Sequence, residues 1–248
     1  MDSPVIQVFT FALITAVATG LGAVPFLFVQ SMSRRWLGIS NALAAGLMGA
    51  ASWSLIYEGL NYGLWRTVLG MLLGLVFITV SRRFIDEQEE IEWGRLEEAD
   101  ALKVLLILGV MTVHSFTEGV GVGVSFGGGE TLGAYITTAI AVHNIPEGLA
   151  ISLVMIPRGT PVWKAALWSV FSSLPQPIMA VPAYLFVEIS RPFLPVGLGF
   201  AAGAMIWMIF SELVPEALED TSPNAVAITI TLAVTAMTAF QYILGASL

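Results

Sequence analysis

The sequence predicts an all-α, polytopic membrane protein with eight transmembrane helices, and three observations favour this fold class. The chain of 248 residues is 56% hydrophobic and only 11% charged, whereas soluble domains carry about 25% charged residues. Its mean hydropathy is +0.84. Eight apolar segments follow one another along the chain, and each is close to the roughly 20 residues that a spanning helix needs. We therefore expect a single transmembrane domain over residues 1–248.

The eight segments are expected to be helices, because alternating strand patterns are absent and lipid offers no partner for unpaired backbone groups. In chain order they are Val5–Val29, Ile39–Leu60, Leu64–Ser81, Leu102–Phe126, Leu132–Ile156, Trp163–Glu188, Phe193–Glu216 and Ala225–Leu244. Pro146 in the fifth segment and Pro175 and Pro177 in the sixth predict kinks there, since proline removes a backbone hydrogen bond.

The Lys and Arg residues predict the orientation of these helices. With the N-terminus outside, eight of them fall in inner loops and two, Arg66 and Arg191, in outer loops. Basic loops favour the cytoplasmic side, so both termini are expected on the extracytoplasmic side. Either the cell (inner) membrane or an organelle membrane fits this pattern.

Composition also excludes whole classes of function. A net charge of −8 with 10 Lys and Arg excludes a nucleic-acid binder, and zero Cys excludes thiolate metal sites. The acids concentrate between the third and fourth segments, in an expected loop over residues 82–101. We interpret this acidic stretch as a cytoplasmic loop or short surface helix, and alternatively as a weak cation-attracting collar. Its acidic residues are Asp86, Glu87, Glu89, Glu90, Glu92, Glu97, Glu98 and Asp100.

Two copies of one motif lie near the middle of the fourth and fifth segments. His114-Ser-Phe-Thr-Glu118-Gly is repeated as His143-Asn-Ile-Pro-Glu147-Gly. Consecutive spans run antiparallel, so a motif shared by neighbours implies a pseudo-two-fold axis in the membrane plane, as in the inverted repeats of secondary transporters.

A weaker sequence similarity, which we call the echo, links the second and seventh segments. Ala44–Met48 resembles Ala201–Met205, and Ser54–Leu60 resembles Glu212–Leu218, but the two offsets differ by one residue. Close packing of small residues could produce the same echo without a repeat.

The repeated motif predicts a metal site. The chain has two His, and each is followed by a Glu four residues later, so both pairs occupy one helix face. Two imidazoles and two carboxylates suit a divalent transition metal. Two ionised Glu and two neutral His carry a charge of −2, which such an ion cancels at a depth where charge is costly.

Further residues could assist this site. Ser115 and Asn144 adjoin the two His, and Gln176 lies in the kinked part of the sixth segment, so we expect them as weaker neutral ligands. Glu58 lies at the outer end of the second segment, and Ser211 and Glu212 lie near the inner end of the seventh. These three residues are expected along an entry and exit pathway.

On these residues the chain resembles the ZIP (Zrt-, Irt-like) family of divalent-metal transporters. The resemblance implies a 3+2+3 inverted-repeat bundle, movement of Zn²⁺ toward the cytoplasm, and a possible homodimer. It also implies a first metal site at His114, Glu118, His143 and Glu147. A second site would involve Ser115, Asn144 and Gln176, and an inner exit would lie at Ser211 and Glu212.

The chain departs from the family pattern where Gln176 replaces a common Glu. The lost charge predicts one strongly held ion rather than a pair. The sequence leaves the ion open among Zn²⁺, Fe²⁺, Mn²⁺ and Cd²⁺, since affinity order alone does not give selectivity. Two other functions remain as alternatives, a membrane-embedded metalloenzyme of di-iron type and a metal sensor. The order His then Glu at i, i+4 speaks against the Glu-x-x-His pattern of di-iron proteins.

Overall fold

The computed structural model describes residues 3–29, 32–91 and 99–247. For residues 85–91, 99–107 and 246–247 it describes the backbone only. Helices dominate this part of the chain, and no strand occurs in it, which confirms the all-α prediction. Their bounds are α1 Pro4–Gly20, α2 Arg34–Tyr62, α3 Leu64–Ile91, α4 Ala99–Gly127, α5 Glu130–Met155, α6 Val162–Ser173, α7 Pro175–Ile189, α8 Leu194–Met208, α9 Val214–Asp220 and α10 Pro223–Ser247.

These helices form eight rods, which we call spans 1 to 8. A break at Leu174 joins α6 and α7 into span 6, and a π-helical turn at Ile209–Leu213 joins α8 and α9 into span 7. Among the described residues, seven rods are long and apolar enough to cross a membrane. The remaining rod, α4, has 29 residues, or about 43 Å of helix. The chain is an integral, multi-pass membrane protein.

Two segments differ from their expected bounds. Helix α3 continues to Ile91 instead of ending at Ser81, so the first half of the expected 82–101 loop is helical. Arg, Gln and Glu are good helix formers, and the helix therefore continues beyond its apolar part. Residues 92–98, with Glu92, Glu97 and Glu98, lie outside the described residues. Span 1 tightens into a 3₁₀-helix at Leu21–Leu27, where Pro25 cannot donate a backbone hydrogen bond.

The helix packing has the symmetry of an inverted repeat. Helix α1 packs on α5 as α7 packs on α4, α3 packs on α8 as α10 packs on α2, and α2 packs on α5 as α8 packs on α4. The remaining large contacts pair α4 with α5, α2 with α8 and α1 with α7. Exchange of spans 1 and 6, 2 and 7, 3 and 8, and 4 and 5 leaves this pattern unchanged. The arrangement agrees with the expected 3+2+3 bundle.

The weaker echo between spans 2 and 7 has a packing role. A Cβ added to Gly46 would lie 2.7 Å from the Ile230 carbonyl oxygen on α10, and one added to Gly203 would lie 2.2 Å from the Met71 carbonyl oxygen on α3. The two glycines thus allow equivalent close approaches in the two repeats. The π-turn at Ile209–Leu213 begins between the two halves of the echo and ends within the second half, and such turns insert one residue into an α-helix. That residue explains the unequal offsets.

Candidate metal site

The site lies where α4 and α5 cross at the centre of the bundle. The ligand atoms of His114, Glu118, His143 and Glu147 all lie within 4.8 Å of one another. Each His reaches the Glu of the other helix, with 2.9 Å from His114 Nε2 to Glu147 Oε1 and 2.6 Å from His143 Nε2 to Glu118 Oε1. His114 Nε2 is also 3.1 Å from Glu118 Oε1. This exchange of partners is what a two-fold axis between α4 and α5 produces.

All four side chains are buried, with exposed fractions of 3% for His114 and Glu147 and 0% for Glu118 and His143. Tetrahedral zinc with bonds of about 2.1 Å holds its ligand atoms about 3.4 Å apart. Side-chain shifts of about 1 Å would therefore close the group around one ion. Two buried carboxylates this close need a cation for compensation, so the donor set fits a divalent metal.

Glycine after each Glu brings neighbouring helices close to the site. A Cβ on Gly119 would lie 2.6 Å from the Gln176 carbonyl oxygen, and a Cβ on Gly148 would lie 1.7 Å from the Thr19 carbonyl oxygen. Span 6 therefore lies against the Glu118 turn of α4, and span 1 lies against the Glu147 turn of α5. The repeated glycine is required for these approaches.

A polar network from spans 1, 5 and 6 surrounds Glu118. Gln176 Nε2 donates to Glu118 Oε2, and Gln176 Oε1 accepts from the Thr15 hydroxyl and, at 3.3 Å, from Asn144 Nδ2. Asn144 Nδ2 also donates to the Thr15 carbonyl oxygen at 3.0 Å. Asn144 Oδ1 and His143 Nδ1 are buried and have no hydrogen-bond partner among the described residues.

On the other side of the cluster, the Met208 thioether of α8 contacts the His114 ring. Met208 Sδ lies 2.6 Å from His114 Nδ1. Because Nδ1 faces Met208, the other ring nitrogen, Nε2, is the one that faces the two carboxylates. Met208 thus orients the imidazole toward the centre of the cluster.

A cavity of about 670 Å³ leads from Glu147 to one face of the bundle. Ser33, Arg82, Arg158 and Asp220 line this cavity, and they lie next to the connections that follow spans 1, 3, 5 and 7; we call it the inner cavity after the side on which the Lys and Arg pattern predicts these connections. These connections are the ones expected on the cytoplasmic side. A second, smaller cavity of about 260 Å³, lined by Glu130, Tyr184 and Glu188 among others, lies near the connections expected outside.

The predicted pathway residues have different surroundings. Glu212 lines the inner cavity and is 3.4 Å from Arg82 Nε through its Oε1. Ser211 is exposed, and Glu58 is half-buried near the outer end of α2. Among the described residues, neither Ser211 nor Glu58 belongs to the cluster or lines the inner cavity, and their pathway role stays a prediction. Ser115 is buried next to His114.

Several residues near the site were not predicted from the sequence. Thr15 and Thr19 on α1 have the same i, i+4 spacing as the His–Glu pairs, and this polar stripe in an apolar helix was a usable signal. Asn41 donates to Glu216 Oε2 at 2.9 Å in the inner cavity. Met208 offers no signal in the sequence, because methionine is common in apolar helices.

Comparison with known proteins identifies the family. The family described as ZIP zinc transporter matches residues 86–241, which is more than half of the chain. A candidate zinc transporter of Arabidopsis thaliana is 48% identical over 234 residues, 93% of this chain and 38% of the plant protein. The zinc transporter GufA of Myxococcus xanthus is 32% identical over 222 residues, 83% of this chain and 86% of that protein. The zinc transporter ZIPB of Bordetella bronchiseptica is 33% identical over 222 residues, 80% of this chain and 69% of that protein.

The chain spans 38% of the Arabidopsis relative but most of GufA. The family model covers the complete His–Glu repeat and the polar stretch at Gln176. The all-α bundle, the repeated motif and these similarities agree with one another. The chain therefore belongs to the ZIP family of zinc transporters, a family of transporters rather than enzymes.

Proposed function

We propose that the chain carries a divalent transition-metal ion, with zinc as the first candidate, across the membrane toward the cytoplasm. One observation carries this proposal: two imidazoles and two carboxylates are buried together at the end of a cavity that opens to one face. Imidazole nitrogen and carboxylate oxygen are preferred zinc ligands. The charge of −2 on the four side chains matches one divalent ion.

His114, Glu118, His143 and Glu147 are the proposed ligands. The buried Oδ1 of Asn144, which has no partner among the described residues, supports its role as a further neutral oxygen donor. Ser115 is a candidate for the same role because of its position. The transported ion is the substrate of this site and would leave with its ligands unchanged.

Alternating access is the proposed mechanism. The inner cavity reaches Glu147, which supports an inward-open arrangement of the helices. An outward-open arrangement would follow from movement of the two repeats against each other around the ion, as in other inverted-repeat transporters. The clustering of Arg34, Arg82 and Arg158 around the inner cavity supports a cytoplasmic location for that face, with both termini outside.

Uptake of zinc into proteoliposomes tests this function. We expect Glu147→Ala and His143→Ala to abolish uptake while the purified proteins still elute as the wild type does. Thr131→Ala is the control, because Thr131 lies in the first turn of the same helix, is exposed and lines neither cavity. Full uptake by Glu147→Ala would overturn the proposal. Binding of zinc without uptake would favour the alternative of a sensor.

Two finer points need their own measurements. Competition of Fe²⁺, Mn²⁺ and Cd²⁺ with zinc uptake would rank the ions. Cross-linking in intact membranes would test the homodimer that the family resemblance implies.

A further inference from the structure

The side chain of Gln176 is completely buried beside the metal ligands. It lies in the first turn of α7, directly after the break in span 6. Its amide makes three hydrogen bonds, one given to Glu118 Oε2 and two accepted from Thr15 and Asn144. An ionised carboxylate only accepts hydrogen bonds, so the NH₂ end of Gln176 must face Glu118. The donors on Thr15 and Asn144 then face the amide oxygen, and the orientation is fixed at both ends.

The two oxygens of Glu118 have different partners as a result. Oε1 lies 2.6 Å from His143 Nε2 and 3.1 Å from His114 Nε2, and it is the oxygen that faces the proposed ion. Oε2 accepts from Gln176. A metal bridging both oxygens of Glu118 would have to displace the Gln176 amide. Gln176 has no carboxylate that could bind the metal in return.

The net charge of the site also favours binding of a single ion. The four proposed ligands carry −2 when both His are neutral, and one divalent ion cancels this charge. The adjoining network residues Thr15, Ser115, Asn144 and Gln176 are all uncharged. A second divalent ion would leave a net charge of +2 in a buried site, and an uncompensated buried charge is strongly unfavourable.

From these contacts we propose that Gln176 is a positioning residue that sets the stoichiometry of the site at one divalent ion per chain. Its N–H group holds Glu118 Oε2 where a second cation would otherwise bind, and Thr15 and Asn144 hold Gln176 in place. This inference rests on the proposed function, because it assumes that the His–Glu cluster binds the transported ion.

Metal content of the purified full-length protein tests the proposal. After zinc loading and desalting, we expect one zinc per chain in the wild type and two in Gln176→Glu, which replaces the blocking amide by a third carboxylate beside Glu118. Gln241→Glu is the matched control, because Gln241 is a buried glutamine on α10 away from the site. That variant should keep one zinc.

Two further variants separate positioning from mere packing. Gln176→Met keeps the side-chain length but loses the N–H donor, and we expect one zinc with affinity reduced about 10- to 100-fold, as for other partners that orient ligands. Thr15→Val should reduce affinity less, because it acts on Glu118 only through Gln176. Unchanged affinity in Gln176→Met would overturn the positioning role.

The outcomes distinguish this inference from the proposed function. Two zinc ions per wild-type chain, or one in folded Gln176→Glu, would overturn the inference alone. If Gln176→Glu does not elute as a folded protein, Asn144→Asp decides, since it adds the charge from α5 to the same network. A wild type that binds no zinc, or binds it equally well as His143→Ala, would overturn the metal site itself.

Discussion

Replacement of Gly148 by Ala should disturb both the packing of α1 on α5 and the metal site. The added Cβ would lie 1.7 Å from the Thr19 carbonyl oxygen, whereas ordinary contacts of this kind begin at 3.4 Å. The two helices must therefore separate locally by the difference, about 1.7 Å. Overpacking of this kind costs about 1–3 kcal/mol. For a chain of this size each kcal/mol lowers Tm by about 2–4 °C.

The same displacement should weaken metal binding, because Gly148 directly follows the ligand Glu147. Metal–ligand distances tolerate errors of only about 0.2 Å. The expected shift of about 1.7 Å is several times larger than this tolerance, so zinc affinity should fall at least about tenfold.

Thermal unfolding in detergent and zinc binding would be measured on the same preparations. Gly109→Ala is the matched control, because Gly109 lies in α4 and a Cβ there would meet no atom within 4 Å. The control should keep the wild-type Tm and zinc affinity. Equal Tm and equal affinity for the Gly148 and Gly109 variants would refute the reasoning that the repeated glycine is needed for helix approach.

Four other changes have defined outcomes. Leu55→Ala, in the core with 1% exposure, should lower stability by about 2–5 kcal/mol without changing the number of bound zinc ions; a change in that number would contradict the separation of core and site. Arg82→Gln should lower stability by about 1–3 kcal/mol, because the change removes a charged partner from the largely buried Glu212 carboxylate, and an unchanged Tm would contradict this role of the ion pair. Zinc retention should fall between pH 7 and pH 5 in equilibrium dialysis, because protons compete with the metal for imidazole and carboxylate; constant retention would speak against these ligands. In the Cys-free chain, Leu37→Cys in the inner cavity should react with an impermeant maleimide only from the cytoplasmic side, and reaction from outside would reverse the proposed orientation.

The sequence was sufficient for the parts of the structure that depend on helical period and composition. Segment lengths predicted the spanning rods, and the i, i+4 spacing of His114 with Glu118 and of His143 with Glu147 placed each pair on one face. The repeat then predicted that the two faces meet. These properties depend on positions along a single helix, and a sequence contains them directly.

Contacts between side chains on distant spans were harder to predict from the sequence. The sequence placed Gln176 near the site as a weak metal ligand, which stays a prediction, but it did not indicate that the Gln176 amide donates to Glu118. Thr15, which holds Gln176, is far from it in sequence, and the two residues meet only because α1 packs on α7. The His114–Met208 contact likewise depends on how α4 lies against α8. Helix faces follow from the local sequence, whereas the choice of partner on the facing helix follows from packing.

The π-turn makes the two mouths of the transporter chemically unequal. Two identical halves related by a two-fold axis would offer an ion the same surroundings on either side of the membrane. The π-turn takes up one additional residue in span 7, so this helix has a wider turn where the matching part of α2 is regular α-helix. Glu212 and Glu216 lie in and just after this turn and line the inner cavity, whereas Glu58, the counterpart of Glu216 in the echo, lies near the C-terminal end of α2 and lines neither of the two cavities described above. A single-residue insertion thereby makes one end of a symmetric architecture different from the other.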